Sequence, residues 1–215
     1  METGKRKMLF DTGGFGQRRE LFPRLKAMGH PAESFEIVVL SHAHWDHMMN
    51  VPYFSNADIY LHAEDMKFAN AKVQDVDRAY PLPYMRDLLS TRHLRCWEGD
   101  STLVEGVQLI HTPGHTPGSI SAVVETEWGR TVLCGDTIKN RAEYFSEEYD
   151  VRGDEQTFHA GVKRIRALAD AIAPGHDRPF DTKSGKYLAD GDREPAIIAN
   201  FEKNIQKESV CKPMP

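Results

Sequence analysis

Four side chains of metal-binding type follow directly on an apolar run in the first quarter of the chain. Residues 37–40 predict a buried strand, and the next positions supply His42, His44, Asp46 and His47. Alternate side chains of an extended segment share a face, so His42 and His44 can reach one point. A helix that begins just behind them would direct Asp46 and His47 to a second point. Imidazole and carboxylate groups bind zinc, iron and manganese. The segment therefore predicts two neighbouring metal positions, with a polar surface loop as the alternative.

Three more potential ligands stand beside glycines at the ends of later predicted strands. His115 is at the centre of the loop T-P-G-H-T-P-G, while Asp136 and His176 each follow a glycine directly. Glycine and proline stiffen such loops and let the backbone pass close to a bound group. Because loops at strand ends are where α/β folds build their sites, we expect these three groups to join the His42–His47 segment.

The composition favours one globular domain, and the partner that we expect is a small-molecule substrate. The chain has 215 residues, enough for a single core, and its formal charge of −5 gives no support for nucleic-acid binding. No apolar run approaches the ~20 residues of a membrane span, and the basic N-terminus lacks the apolar stretch of a signal peptide. The three cysteines, Cys96, Cys134 and Cys211, are far apart, which is typical of reduced thiols. We therefore expect a cytoplasmic protein with neither nucleic acid nor membrane as partner.

The pattern of apolar residues predicts strands and helices that alternate at each end of the chain around a strand-rich middle. Strands are predicted at residues 7–10, 37–40, 57–61, 93–97, 101–103, 107–111, 119–125, 131–134 and 171–173. Helices are predicted at residues 21–28, 64–72, from the cap Asp154 to Leu168, and near 196–205. Residues 80–85 are apolar and interrupted by prolines, which predicts a packed loop. This order fits helices that cover a sheet.

The motifs and their order resemble those of the metallo-β-lactamase superfamily. The matching motifs are H-x-H-x-D-H at 42–47, P-G-H-T-P-G-S at 113–119, G-D-T at 135–137, P-G-H at 174–176 and D-T-G at 11–13. The resemblance covers roughly residues 6–180. It implies an α/β fold, a four-layer αββα sandwich, with the domain at residues 1–180 and residues 181–215 as an extension packed on it.

One departure from the family concerns the start of the chain. Members usually begin with a strand hairpin before the D-T-G turn, and here only ten residues precede Asp11. We therefore expect one or two edge strands of the first sheet to be missing. The sheet would end early, be completed by another chain, or be completed by residues 181–215. An exposed edge would favour a homodimer through that edge.

The resemblance also implies a dinuclear metal site with seven ligands. The first metal would be held by His42, His44 and His115, and the second by Asp46, His47 and His176, with Asp136 bridging the two. Asp46 and Asp136 are the candidate catalytic carboxylates, and Asp11 would steady a ligand. The ions would be two divalent metals, with zinc as the first choice and iron or manganese as the alternatives.

Five residues near these motifs are candidates for the substrate pocket. They are Trp45, Tyr80, Tyr84, Lys139 and Tyr144. The alternative to a pocket role is core packing for Trp45. For the segment with Tyr80 and Tyr84, it is a loop that covers the surface of the core. Lys139 stands three residues after Asp136, where acyl-homoserine lactonases of the family have tyrosine, and Tyr144 is out of register with that position.

The activity implied by the resemblance is metal-dependent hydrolysis. A hydroxide that bridges the two metals would attack the carbonyl carbon of an ester, lactone or thioester. Two divalent cations carry four positive charges against the three negative charges of Asp46, Asp136 and hydroxide, which suits the stabilisation of an oxyanion. A phosphodiesterase or nuclease of the same fold and an iron-dependent sulfur dioxygenase are the alternatives.

Overall fold

The computed structural model describes residues 6–70, 77–89, 93–188 and 199–201. The chain divides into two compact units, the first formed by residues 1–98 with 197–215 and the second by residues 99–196. No helix within the described ranges is long and apolar enough to cross a membrane. The prediction that residues 1–180 form one domain, extended by residues 181–215, stays a prediction.

Helices lie between strands toward each end of the chain, around a run of five successive strands, as the sequence predicts. The strands are β1 (Arg6–Phe10), β2 (Ile37–Val39), β3 (Asp58–His62), β4 (Leu94–Trp97), β5 (Ser101–Val104), β6 (Val107–His111), β7 (Ile120–Thr126), β8 (Gly129–Gly135), β9 (Ala171–Pro174), β10 (Phe180–Asp181) and β11 (Ala199–Phe201). The helices are α1 (Arg18–Ala27), α2 (Trp45–Met48), α3 (Ala63–Asn70), α4 (Leu82–Leu89), α5 (Arg141–Ser146) and α6 (Glu155–Leu168). The predicted α/β class is confirmed.

The first unit is built on a five-stranded sheet in the order β11-β1-β2-β3-β4. The strands from β1 to β4 are parallel, with Phe10 opposite Val39 at the carboxyl ends of β1 and β2. The β2 residues are apolar and fully buried, as expected for a parallel sheet covered on both faces. Because parallel strands end at one edge, the turn that begins at Asp11 and the segment that carries His42 leave the sheet side by side.

The outer edge of β1 is covered by a strand from the C-terminal part of the chain. β11 pairs antiparallel with β1, with Arg6 opposite Phe201 and Met8 opposite Ala199. Of the three ways to complete the sheet, the structure shows the one that uses residues beyond 181. The helix predicted near 196–205 is wrong for residues 199–201, because an unpaired edge gains backbone hydrogen bonds from a strand. The edge of β1 is therefore not the exposed edge on which the homodimer was argued, and dimerisation stays a prediction.

The second unit is built on a six-stranded sheet in the order β10-β9-β8-β7-β6-β5. β6, β7 and β8 are antiparallel neighbours, whereas β8 and β9 are parallel. The carboxyl ends of β6, β8 and β9 therefore lie at the same edge of this sheet. Those three ends lead directly into the loops that carry His115, Asp136 and His176.

Helix α6 packs on this sheet in the way its apolar spacing predicts. Asp154 caps the helix by accepting a hydrogen bond from the amide of Thr157 at 2.7 Å, and Phe158, Val162 and Ile165 are buried. The predicted cap and buried face are confirmed. The core beneath α6 includes Ile165 and residues of five strands, of the β8–α5 connection and of α5, namely Ile110, Val123, Val132, Cys134, Ile138, Tyr144, Ile172 and Phe180.

Two further predictions are wrong. Residues 80–85 were expected to be a loop, but α4 begins at Leu82. Pro81 precedes this helix and Pro83 lies in its first turn, where amide groups have no helical partner and proline is tolerated. Cys96 is disulfide-bonded, so the expectation of reduced thiols holds for the buried Cys134 but not for Cys96. Cys211 lies outside the described residues, and cytoplasmic localisation stays a prediction.

Candidate metal centre

The first unit brings the histidines of the H-x-H-x-D-H segment close together. β2 ends at Val39, the chain bends at Ser41 and His42, His44 has an extended backbone, and α2 begins at Trp45. The ring centroid of His42 lies 4.5 Å from that of His44 and 4.1 Å from that of His47. The start of α2 at Trp45 places the ring of His47 next to that of His42, and the two separate metal positions stay a prediction. Asp46 is on the same helix, and its Oδ2 lies 3.7 Å from His47 Nε2.

Each of the three rings has one nitrogen within hydrogen-bond distance of a side-chain oxygen. The contacts are His42 Nδ1 with Ser41 Oγ at 2.9 Å, His44 Nε2 with Asp77 Oδ2 at 3.0 Å, and His47 Nδ1 with Asp11 Oδ2 at 2.8 Å. A neutral imidazole that donates through one nitrogen carries a lone pair on the other. Metal-binding histidines in proteins are oriented by such contacts to carboxylates and other acceptors. The three rings are therefore fixed in orientation with one donor nitrogen each.

Asp11 combines an unusual backbone with a carboxylate that contacts two other loops. Its φ is +60°, the left-handed region that L residues seldom adopt, at an energetic cost on the order of 1–3 kcal/mol. Its carboxylate accepts hydrogen bonds from the amide and the hydroxyl of Ser41, both at 2.7 Å, besides the contact with His47. These contacts are the ones that the predicted role of Asp11 requires, and the role itself stays a prediction.

His44 lies in a buried environment that sequence reasoning did not anticipate. Burial lowers the pKa of His44 below its ordinary value, against the opposing effect of the carboxylates of Asp77 and Asp65. The ring is therefore neutral at pH 7, which is the form that binds metals. Asp65 is fully buried and accepts hydrogen bonds from the amide of Ala43 at 2.5 Å and the hydroxyl of Tyr80 at 3.0 Å. No spacing in the sequence marks either aspartate as a partner of the His42–His47 segment.

The second unit brings together the other three predicted ligands. Asp136 Oδ2 lies 3.3 Å from His115 Nε2, and Asp136 Oδ1 lies 3.1 Å from His176 Nε2. Asp136 and His115 are buried, while His176 is exposed on one side. One carboxylate thus stands between two ring nitrogens supplied by different loops. This is the arrangement expected of a carboxylate that shares metal ions with both histidines.

Glycine and threonine residues determine the shape of these loops. Gly114 has a φ of +139°, and a side chain there would meet Phe158 of α6. The hydroxyl of Thr137 donates to the carbonyl of Thr112 at 3.1 Å, which joins the loop after β6 to the loop after β8. The amide of His176 donates to the carbonyl of Lys139 at 2.7 Å, which joins the loop after β9 to the same region. The three loops are therefore joined by hydrogen bonds among their own residues.

The donor set fits divalent metal ions in each unit. Buried neutral imidazoles and carboxylates are the ligands that zinc, iron and manganese take, and sulfur ligands are absent from both sets. Within the described residues of the first unit, three histidines have a ring nitrogen fixed by an acceptor. In the second unit, the ring nitrogens of two histidines face one carboxylate. These observations test the chemistry of the residues, and the assignment of the seven ligands to two ions stays a proposal.

The candidate pocket residues lie in different environments. Trp45 is 49% exposed, so core packing is excluded and the pocket assignment stays a prediction. Tyr84, on α4, is partly buried, and burial raises the pKa of its hydroxyl. Lys139 forms an ion pair with Asp150.

Tyr80 and Tyr144 are corrections to the pocket prediction. Tyr80 is 1% exposed, donates to Asp65, and its ring lies 4.8 Å edge-on from that of His44. Tyr144 is 6% exposed and packs in the core of the second unit, 5.3 Å from the ring of Phe180. Both side chains are buried because their rings have apolar or aromatic neighbours, so neither presents a surface to a substrate.

Comparisons with known proteins agree with the motifs. The family model of the metallo-beta-lactamase superfamily matches residues 1–176. An N-acyl homoserine lactonase of Bacillus cereus is 30% identical over 159 residues, which cover 71% of this chain and 60% of the relative. The chain thus spans about 60% of the length of the curated relatives it matches first.

Two solved structures show the similarity of fold. An N-acyl homoserine lactone hydrolase, with the product N-hexanoyl-L-homoserine bound at its catalytic metal centre, aligns with a TM-score of 0.64, 25% identity and coverage of 79% of this chain and 76% of that one. AidC, a dizinc quorum-quenching lactonase, aligns with a TM-score of 0.64, 20% identity and coverage of 93% and 76%. The predicted fold is confirmed by this agreement with the family model. The chain belongs to the metallo-β-lactamase superfamily.

Proposed function

We propose that this protein is a metal-dependent hydrolase that binds two divalent ions and opens the ester bond of a small lactone. The single observation that carries the proposal is the orientation of the histidines. In the first unit, His42, His44 and His47 each have one ring nitrogen in contact with a side-chain oxygen. Every buried imidazole needs an acceptor for its N–H, but here the rings of His44 and His47 also lie 4.5 Å and 4.1 Å from that of His42, which brings three oriented rings together as a metal site requires.

The ligand assignment that we propose follows the family motifs. His42, His44 and His115 would hold one ion, Asp46, His47 and His176 the other, and Asp136 would bridge them. The histidine and aspartate side chains among these residues have the chemistry of a divalent metal site. Zinc is the proposed metal, because AidC is a dizinc enzyme and because neutral histidine with carboxylate is a zinc ligand set.

When bound, two such ions activate a water molecule near neutral pH and polarise a carbonyl oxygen. The residues of this chain set the net charge of the metal site and the orientation of the histidine rings. Asp46 and Asp136 contribute two negative charges, which leaves a net positive centre that stabilises the oxyanion formed on the carbonyl. Asp11 and Asp77 lie behind His47 and His44, where they orient the rings without contacting the substrate.

The proposed substrates are N-acyl homoserine lactones. Relatives at 29–30% identity are lactonases of this class, and related structures hold the N-decanoyl and N-hexanoyl homoserine products. The position three residues after Asp136 is Lys139, and Tyr144 is buried in the core, so this chain would act without a tyrosine at that place. Thioesters are the second substrate class for the same chemistry.

The described residues give less support to the phosphodiesterase alternative. A phosphodiesterase would need a cation beside the metals to hold the phosphate, and the ammonium group of Lys139, three residues after Asp136, is paired with Asp150. The formal charge of the chain is −5, which repels polyanions. The sulfur dioxygenase alternative needs one iron ion with fewer ligands, and metal analysis distinguishes it directly.

The test is a substrate panel run on protein of measured metal content. Lactones, thioesters, a phosphodiester and a chromogenic β-lactam are assayed on wild-type protein, Asp136→Ala and the surface control Glu125→Ala, which removes an exposed carboxylate paired with Arg130. We expect two zinc ions per chain, preferential lactone turnover, and loss of both metal and turnover in Asp136→Ala only. Removal of the metal ions by a chelator should abolish turnover, and addition of zinc should restore it. Full turnover in a metal-free sample would refute the proposal.

A further inference from the structure

A buried asparagine joins the turn that contains Asp11 to the end of the metal-binding segment. Asn50 follows α2 by two residues and is 0% exposed. Its side-chain nitrogen lies within hydrogen-bond distance of three consecutive carbonyl oxygens, those of Thr12 at 2.8 Å, Gly13 at 3.2 Å and Gly14 at 2.9 Å. The backbone amide of Asn50 also donates to the hydroxyl of Thr12 at 3.3 Å. The two N–H groups of a single side chain are thus shared among three carbonyl groups of the turn.

The orientation of this amide is determined by Arg18. The Arg18 Nε donates to Asn50 Oδ1 at 2.6 Å. A guanidinium group can only donate, so the oxygen of Asn50 must face Arg18 and its NH₂ must face the turn. Arg18 is itself held on several sides, because its Nη2 donates to the carbonyl of Met49 at 3.1 Å and its guanidinium lies 4.1 Å from the ring centroid of Phe15 and 5.0 Å from that of Tyr53.

The turn needs such a partner because its backbone is strained at Asp11, the residue whose carboxylate contacts the proposed ligand His47. Asp11 adopts a φ of +60°, which is unfavourable for a residue with a side chain. The same residue directs its carboxylate at His47 Nδ1, 2.8 Å away. The next residue, Thr12, donates its amide to the carbonyl of His47 at 2.7 Å. Ser41 holds the carboxylate of Asp11 from one side, so its contact with His47 depends further on how the turn is held against the segment that ends at Asn50.

We propose that Asn50 and Arg18 are a positioning pair that sets the metal affinity of the chain through Asp11 and His47. The inference rests on the proposed metal binding and names residues that contact neither metal nor substrate. Removal of the Asn50 donors frees the turn to relax toward an ordinary φ at Asp11. The carboxylate then leaves His47, and the ring loses the acceptor that fixes its tautomer and orientation.

The experiment measures zinc affinity by competition with a chromophoric chelator, using full-length protein loaded from the metal-free form. Asn50→Asp keeps the size of the side chain and its contact with Arg18 but removes both N–H donors. We expect zinc affinity to fall by about 10-fold to 100-fold, the range found when groups behind a metal ligand are removed. Arg18→Met, which keeps much of the side-chain volume, should give a smaller fall in the same direction.

Two controls separate positioning from general loss of stability. Ile59→Ala removes a buried side chain of β3 and should lower the melting temperature of the metal-free protein without changing zinc affinity. Asn50→Asp in an Asp11→Asn background should add little further loss, because the two residues act through one contact. The inference is overturned if Asn50→Asp weakens zinc binding no more than Ile59→Ala, or if its effect adds fully to that of Asp11→Asn. Wild-type protein that binds no zinc would overturn the proposed function as well.

Discussion

Gly175 stands where no side chain fits beside the bridging candidate Asp136. Its φ lies outside the left-handed region, so the backbone itself would accept alanine. The obstacle is the lack of space for a side chain. A methyl group on Gly175 would overlap the Oδ1 of Asp136 and would stand 2.8 Å from the carbonyl oxygen of Gly135.

The consequences of Gly175→Ala follow from these distances. A short carbon–oxygen contact is about 3.3 Å, so the Gly135 carbonyl would have to retreat by about 0.5 Å and the Asp136 carboxylate by more. Asp136 is nearly buried between His115 and His176, and its movement would separate it from one of them. Overpacking of this kind costs about 1–3 kcal/mol of stability, and a displacement of about 1 Å in a catalytic group costs roughly 100-fold in rate.

The assay compares Gly175→Ala with Gly16→Ala. A methyl group on Gly16 meets no atom within 4 Å, so that variant controls for the substitution itself. Urea unfolding of the metal-free proteins should show a loss of about 1–3 kcal/mol for Gly175→Ala alone, and metal analysis should show reduced zinc. Lactone turnover should fall about 100-fold. A Gly175→Ala protein with wild-type stability and zinc content would refute the packing argument, whatever its activity.

Three other substitutions test separate parts of the molecule. Asp11→Asn removes the charge that faces His47, so zinc affinity measured by chelator competition should fall about 10-fold to 100-fold; an unchanged affinity would contradict the role of Asp11. Gly114→Ala places a methyl group 2.5 Å from Phe158 Cβ at a φ of +139°, so urea unfolding should show a loss of about 3 kcal/mol, and an unshifted midpoint would contradict the strain. Tyr144→Phe should leave lactone kcat unchanged, because this side chain lies in the core; a large fall in kcat would return it to the pocket.

The sequence predicts best those features that are set over a few neighbouring residues. The helix expected directly after His44 begins at Trp45. The predicted face of α6 and its cap at Asp154 are confirmed for the same reason. Periodicity and capping act over a few positions, and they can be read without knowing which strands pair.

Contacts between distant parts of the chain could not be predicted in this way. Asp77 lies 33 positions from His44, and Asn50 lies 36 from Gly14, so no spacing identifies them as partners. The pairing of β11 with β1 is also non-local, and a segment with weak helical pattern became a strand there. The error at residues 80–85 had a different origin, because prolines were interpreted as helix breakers although they occupy the start of α4.

The carboxylates around the histidines of the first unit make different contacts, and together these contacts order the candidate ligands before a metal is bound. Asp11 and Asp77 each contact a histidine ring, while Asp65 contacts the backbone of Ala43 and the hydroxyl of Tyr80. Asp11 and Asp77 therefore fix the orientation of the His47 and His44 rings, and Asp65 fixes the backbone next to His44. Rings that are already ordered lose little conformational entropy when they bind an ion, so more of the binding energy appears as affinity. The residues around the ligands should therefore affect metal affinity more than they affect folding.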